Sequence, residues 1–202
     1  MDTLLPLFPL DLVLFPGAPL PLHVFEPRYR EMIGECLAQK LPFGVVRARE
    51  QALAEIGCSA EILEVTKKYD DGRLDILTEG RRRFELVEVN QERSFLRAEV
   101  IFFEDEVSAA SPKQAERAIE LYDELLSLAG ADVPELEPGE PDLSFHLVAG
   151  LPLDLDFKQT LLGLRSEASR LATVVEYYEA LLPKMRRSIN ARKKAGGNGH
   201  AL

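Results

Sequence analysis

The sequence predicts an α+β fold, and three observations carry that expectation. Short apolar or alternating runs, separated by turn residues, fill positions 3–103. After Pro112 the apolar residues recur at spacings of three and four instead, the signature of amphipathic helices. A polar connector at 104–111 divides the two patterns. The chain has 202 residues, 46% hydrophobic and 29% charged, which suffices for one ordinary domain or two small subdomains with a real core.

The first three runs, 3–8, 12–15 and 20–25, are punctuated by Pro6, Pro9, Pro16, Pro19 and Pro21. Proline lacks the ladder donor, so these runs belong at sheet edges, bends or corners. Pro27 suits a first helical position, and 28–37 follows as a helix with Tyr29, Met32, Ile33 and Cys36 on one buried stripe. Strands are expected at 43–48, 60–69, 73–78, 83–89 and 95–103. Asp70-Asp71-Gly72 joins two of them as a hairpin, because Asp-Gly tolerates the positive φ such turns require. In the last strand Leu96, Ala98, Val100 and Phe102 face one way, Arg97 and Glu99 the other. Many short strands with turns between them suggest a small barrel or curled sheet.

In the second half Ser111 and Pro112 open a helix as cap and preset first residue. Its apolar face is Ala118, Ile119, Tyr122, Leu125, Leu126 and Ala129, and Gly130 ends it. An acidic, proline-containing loop covers 131–142, and short helices follow at 143–149 and 156–164. Ser166 caps a long helix whose stripe runs from Leu171 through Tyr178 to Ile189, with a kink expected at Pro183. The resulting division is a β-rich subdomain over 1–105, a helical subdomain over 111–194 and a disordered glycine-rich tail over 195–202.

The net charge of −10 is uneven. Six basic and no acidic residues lie between Lys184 and Lys194, so positions 1–183 carry 18 basic against 34 acidic residues, a net of −16. So negative a body repels phosphate backbones and disfavours general nucleic-acid binding. Cys36 and Cys58 have no CxxC or ligand spacing and read as small buried hydrophobes in a reducing compartment. The N-terminus lacks a basic n-region and its apolar stretch at 12–22 is too short to cross a bilayer, so a cytoplasmic location is expected.

Motif by motif, catalysis is not supported. There is no GxxxxGK[ST], GxSxG or GxGxxG. His23, His146 and His200 fall in different elements without metal-ligand spacing, and no metal or cofactor is expected. Gly57-Cys58-Ser59-Ala60 superficially resembles a protease serine motif, but it opens a strand and has no lysine assigned beside it.

Three groups of residues carry a family resemblance. Leu5-Pro6-Leu7-Phe8-Pro9-Leu10, Val13-Leu14-Phe15-Pro16-Gly17 and 20–30, which reads Leu-Pro-Leu-His-Val-Phe-Glu-Pro-Arg-Tyr-Arg, resemble the opening signature of the Lon protease N-terminal domain family. Phe43-Gly44-Val45-Val46, then Asp71 through Gly80 with Arg83-Phe84, follow in the family's order. Ser144-Phe145, Leu151-Pro152-Leu153, Lys158-Gln159 and Leu161-Leu162 match its helical half. The match covers 3–190 and is similar to bacterial proteins consisting of that domain alone; it departs from the pattern in the short segment between Val46 and Gly57.

The resemblance implies a PUA-like β pseudo-barrel of six strands followed by a C-terminal helical bundle. It also implies a non-catalytic module that recruits unfolded or degron-bearing proteins, an adaptor in protein quality control working with or without a separate protease. The binding surface expected from the sequence is the strand–helix corner. There Phe25, Arg28 and Tyr29 would line one wall of a groove beside an unpaired strand edge open to strand addition, with Arg30 a further candidate partner-binding residue. The blander reading of the same corner is that Glu26 caps the helix and pairs with an arginine. A rival function is RNA binding, since PUA-like barrels elsewhere take RNA and the last helix is basic.

Overall fold

The structure is a computed structural model that describes residues 4–49, 52–106 and 110–197, with side chains as far as Ala191. It divides into two compact units, and the chain passes between them three times. The first comprises residues up to Asp105 together with Val148–Leu164; the second comprises Glu106–Leu147 and the chain from Arg165 onward.

The first unit holds strands β1 (Leu5–Leu10), β2 (Pro19–Val24), β3 (Phe43–Arg49), β4 (Ala52–Lys68), β5 (Leu74–Asn90) and β6 (Arg97–Phe102), with helix α1 (Pro27–Gln39) between β2 and β3. They form one sheet in the order β2-β5-β4-β3-β1-β6, in which β1 and β3 are parallel and the other pairings antiparallel. β6 also pairs with the far half of β5, so the pairings run round on themselves. Among the described residues the seam between β1 and β6 is two residue pairs, Leu5↔Ala98 and Pro6↔Arg97, and the sheet is curled and not a closed barrel.

β4 and β5 are 17 residues each, far longer than the usual strand of about 5–6. They stay paired by absorbing three register shifts, which bend the hairpin across the sheet. The expected strands 60–69, 73–78 and 83–89 are therefore parts of one long hairpin. Its turn is the Asp-Gly turn anticipated: Gly72 sits at φ +86°, and Tyr69 N–H donates to Arg73 C=O at 3.0 Å. The expected strand at 12–15 is a loop instead. It has no sheet partner, yet Leu14 and Phe15 are buried. The loop is held against β5 at Gly80, whose N–H donates to Ala18 C=O (3.0 Å) and whose C=O accepts from Gly17 N–H (2.9 Å). A side chain there would put its Cβ 2.1 Å from the Phe15 carbonyl oxygen, so only glycine fits.

The α1 stripe is as expected: Tyr29, Met32, Ile33 and Cys36 pack on Phe8, Val24, Phe43, Val45 and Ile76. A second cluster, Leu5, Leu7, Val46, Phe84 and Ala98, fills the other side of the sheet. Helix α4 (Leu155–Gly163) belongs to this unit. Asp154 caps it by accepting from Phe157 N–H at 2.9 Å. Asp156 accepts from Arg47 (2.7 Å), and Gln159 donates to Ile56 C=O (2.9 Å). By these ties α4 groups with the sheet, whereas the sequence expects one helical subdomain over 111–194; composition shows helices but not which unit they complete.

In the second unit α2 (Pro112–Ala129) starts at the Ser111 cap and ends at Gly130, in the left-handed region at φ +71°. Helix α3 (Leu143–Ala149) begins in it, and α5 (Glu167–Gly197) runs through Pro183 without a break. Arg117 pairs with Glu179 at 2.9 Å, linking α2 to α5. Arg170 is fully buried, with Glu167 at 2.6 Å, Ser144 Oγ at 2.8 Å and its guanidinium 4.3 Å over the Phe145 ring. The disordered tail expected from 195 onward overlaps the end of α5, which runs to Gly197. The helical ladder continues through those residues, since glycine at a helix end costs only about 1 kcal/mol. Positions 198–202, including His200, lie outside the described residues.

Candidate functional site

β2 ends at the corner that the sequence singled out. Phe25 is 58% exposed and stacks loosely on His23, ring centroids 5.9 Å apart. Arg28 binds Glu26 at 2.8–2.9 Å and lies 4.6 Å over the Tyr29 ring. Tyr29 itself is buried, stacked on Phe8 at 4.1 Å, and burial raises its hydroxyl pKa. Arg30 donates to the Asp71 carbonyl at 2.5 Å and so braces the β4–β5 turn. The four residues share a corner, where Tyr29 points into the core and both arginines have partners. Glu26 occupies the helix N-cap position, but its carboxylate goes to Arg28 and makes no cap bond. Nearby, Asp75 accepts from Tyr69 Oη at 2.8 Å and lies 2.5 Å from His23 Nδ1. The His23 bond first, then the Tyr69 bond, lowers the Asp75 pKa.

The outer edge of β2 is poorly suited to strand addition. Ala18 C=O and Leu20 C=O are turned to β5, accepting from Gly80 N–H and Thr78 Oγ1. Main-chain groups alternate along an antiparallel strand, so Pro19, Pro21 and His23 direct theirs outward. Two of the three outward positions are prolines and have no N–H to offer, which is how natural edges are blunted.

β6 presents the opposite case. Leu96 C=O accepts from Leu7 N–H on the β1 side, whereas Phe103 N–H donates to Arg83 C=O on the β5 side. By the same alternation Val100 and Phe102 turn their main-chain groups toward β1. Among the described residues the β1 ladder stops at Ala98. These positions open onto a groove of about 560 Å³ that continues into a second part of about 350 Å³, the two sharing Leu41, Pro42 and Phe102. Cys36, Leu37 and Ile62 add to its apolar lining. Leu37 and Leu41, exposed at 36% and 40%, lie together on its wall. Arg82, 4.6 Å over the Phe102 ring and 3.1 Å from Glu104, forms part of the rim. Sequence reasoning missed this groove. Its walls come from α1, β4, β5 and β6, and only the alternation at Val100 and Phe102 hinted at it.

The residues that could suggest catalysis are otherwise engaged. Ser59 is buried in β4 and its Oγ accepts from Arg82 N–H at 3.0 Å; among the described residues no lysine amine bonds to it. Burial pushes the Cys36 thiol up to about 11 and the Cys58 thiol up to about 12, far from a reactive thiolate. No described helix is long and apolar enough to cross a membrane.

Comparison with known proteins agrees with this architecture. The chain is 30% identical over 196 residues to Lon protease 2 of Myxococcus xanthus, covering 87% of this chain and 23% of that protein. It is 28% identical over 203 residues to Lon protease 1 of Hydrogenovibrio crunogenus, covering 91% of this chain and 25% of that one. It thus spans about a quarter of these relatives' length. The crystal structure of a Lon N-terminal domain protein from Xanthomonas campestris superposes with a TM-score of 0.69 at 28% identity, over 87% of this chain and 98% of that one. The N-terminal domain of Mycobacterium avium complex Lon protease, 19% identical, shares the fold with a TM-score of 0.65 over 88% and 98%. The model of the ATP-dependent protease La (LON) substrate-binding domain matches residues 4–179, so the chain belongs to the Lon substrate-binding domain family.

Proposed function

We propose that this chain is a non-catalytic module that binds extended, apolar segments of unfolded or degron-bearing proteins, acting as an adaptor in quality control that delivers them to a protease. The observation that carries this reading is the groove beside β6. Exposed Leu37 and Leu41 face it, and Val100 and Phe102 bring main-chain donors and acceptors to it. Main-chain bonding suits clients that share a backbone but no sequence, and the apolar walls select segments that a folded client would bury. Phe25 is a second contact point, while Arg28 and Arg30 hold the corner in shape.

Fluorescence anisotropy with labelled unfolded casein tests this. Wild type should bind with Kd below about 100 μM, roughly 5–6 kcal/mol. Leu41→Asp should weaken binding at least about tenfold by placing a charge in an apolar wall, and Phe25→Ala should weaken it less. Absence of binding, or equal binding by Leu41→Asp, would refute the reading. RNA binding is the weaker alternative: the body carries a net −16 through residue 183, and Arg186 of the basic helix is paired with Glu124.

A further inference from the structure

Away from the β6 groove, the 11–18 loop, the start of β2 and the first turn of α4 enclose a pocket of about 170 Å³. Leu12, Val13, Phe15, Leu20 and Leu155 make its walls, and Lys158 is its charged group. Lys158 is 7% exposed, and its Nζ donates to one acceptor, Ala149 C=O, at 3.2 Å. An ammonium has three donors, so two have no protein acceptor among the described residues. The carboxylates of the same helix turn are committed elsewhere, Asp154 to its cap and Asp156 to Arg47 and Arg49. Burial alone lowers the lysine's pKa, which fits an amine with no acid beside it.

A buried ammonium in an apolar cup calls for an anion that carries its own apolar group. Phosphate does not satisfy the walls. An internal acidic side chain would bring two flanking peptide units into a space the size of one residue. A C-terminal residue carries both features on one Cα. We propose that this pocket receives the C-terminal residue of a client chain, with its carboxylate on Lys158 Nζ and an aliphatic side chain against Leu12, Val13 and Leu20. This rests on the substrate-binding reading above and adds to it a preference for free, apolar C-termini.

The test uses the full chain and two small probes, N-acetyl-leucine and N-acetyl-leucinamide, titrated by amide NMR. The acid should shift Val13, Ala18 and Leu20, and the amide should bind at least about tenfold more weakly, the worth of a charge-assisted bond. Lys158→Met, similar in length and apolar, should abolish the difference. Equal binding of the two probes by wild type, shifts at other sites only, or no shifts at millimolar acid would overturn the proposal without reference to any variant's folding. Neither probe needs the β6 groove, so a failure here and a failure of client binding at Leu41 are read separately.

Discussion

Arg83 is 5% exposed, and its guanidinium donates to the carbonyls of Leu162 (3.0 Å) and Leu164 (2.6 Å) while pairing with Asp105. Removing such a group takes a buried donor from two carbonyls and breaks the ion pair with Asp105. Arg83→Met should therefore lower unfolding free energy by about 3–5 kcal/mol in a urea titration. A loss below about 1 kcal/mol would mean that water replaces the arginine at little cost. The sequence shows Arg83 only as part of an Arg-Phe motif, because its acceptors lie some eighty positions away. Tyr29 carries the opposite lesson. The helical period that groups it with Met32, Ile33 and Cys36 already places it in the core, and that periodicity outweighs its nearness to Arg28. Lys158 was visible only as a matched lysine, since burial without an acid partner is a property of three dimensions.

Local chemistry made several elements readable in advance. The Ser111 cap, the Gly130 stop and the Asp-Gly turn each depend on residues within a few positions, and all three stand where expected. The expected strands 73–78 and 83–89 are one strand, β5; the stretch that separates them in the sequence holds Gly80, a close contact in the sheet, and Arg81 and Arg82, both paired. At the edge, β2 tests the role of proline directly. Pro21→Thr restores an outward N–H and a β-favouring residue. It should promote self-association at high concentration, measured by light scattering, with little change in the thermal midpoint. A variant that stays as monodisperse as wild type would show that the edge is protected by something other than proline.

At the scale of the whole molecule, the sheet-bearing unit is discontinuous, and α4 is one of its parts. A fragment ending at Asp105 lacks the carbonyls that Arg83 uses, the Asp156 partner of Arg47 and the Gln159 bond to Ile56. It should show no cooperative melt by circular dichroism, whereas a fragment ending at Leu164 retains these groups. Cooperative unfolding of the shorter fragment would show that α4 is an accessory. The same connectivity has a consequence for biosynthesis. From Glu106 to Leu164 the ribosome must add 59 residues before the sheet meets its last helix. At about 5–20 residues per second that takes roughly 3–12 s, during which a nascent six-stranded sheet waits incomplete. For those seconds the unfinished chain, proposed above to bind unfolded proteins, is itself a candidate client of the cell's chaperones.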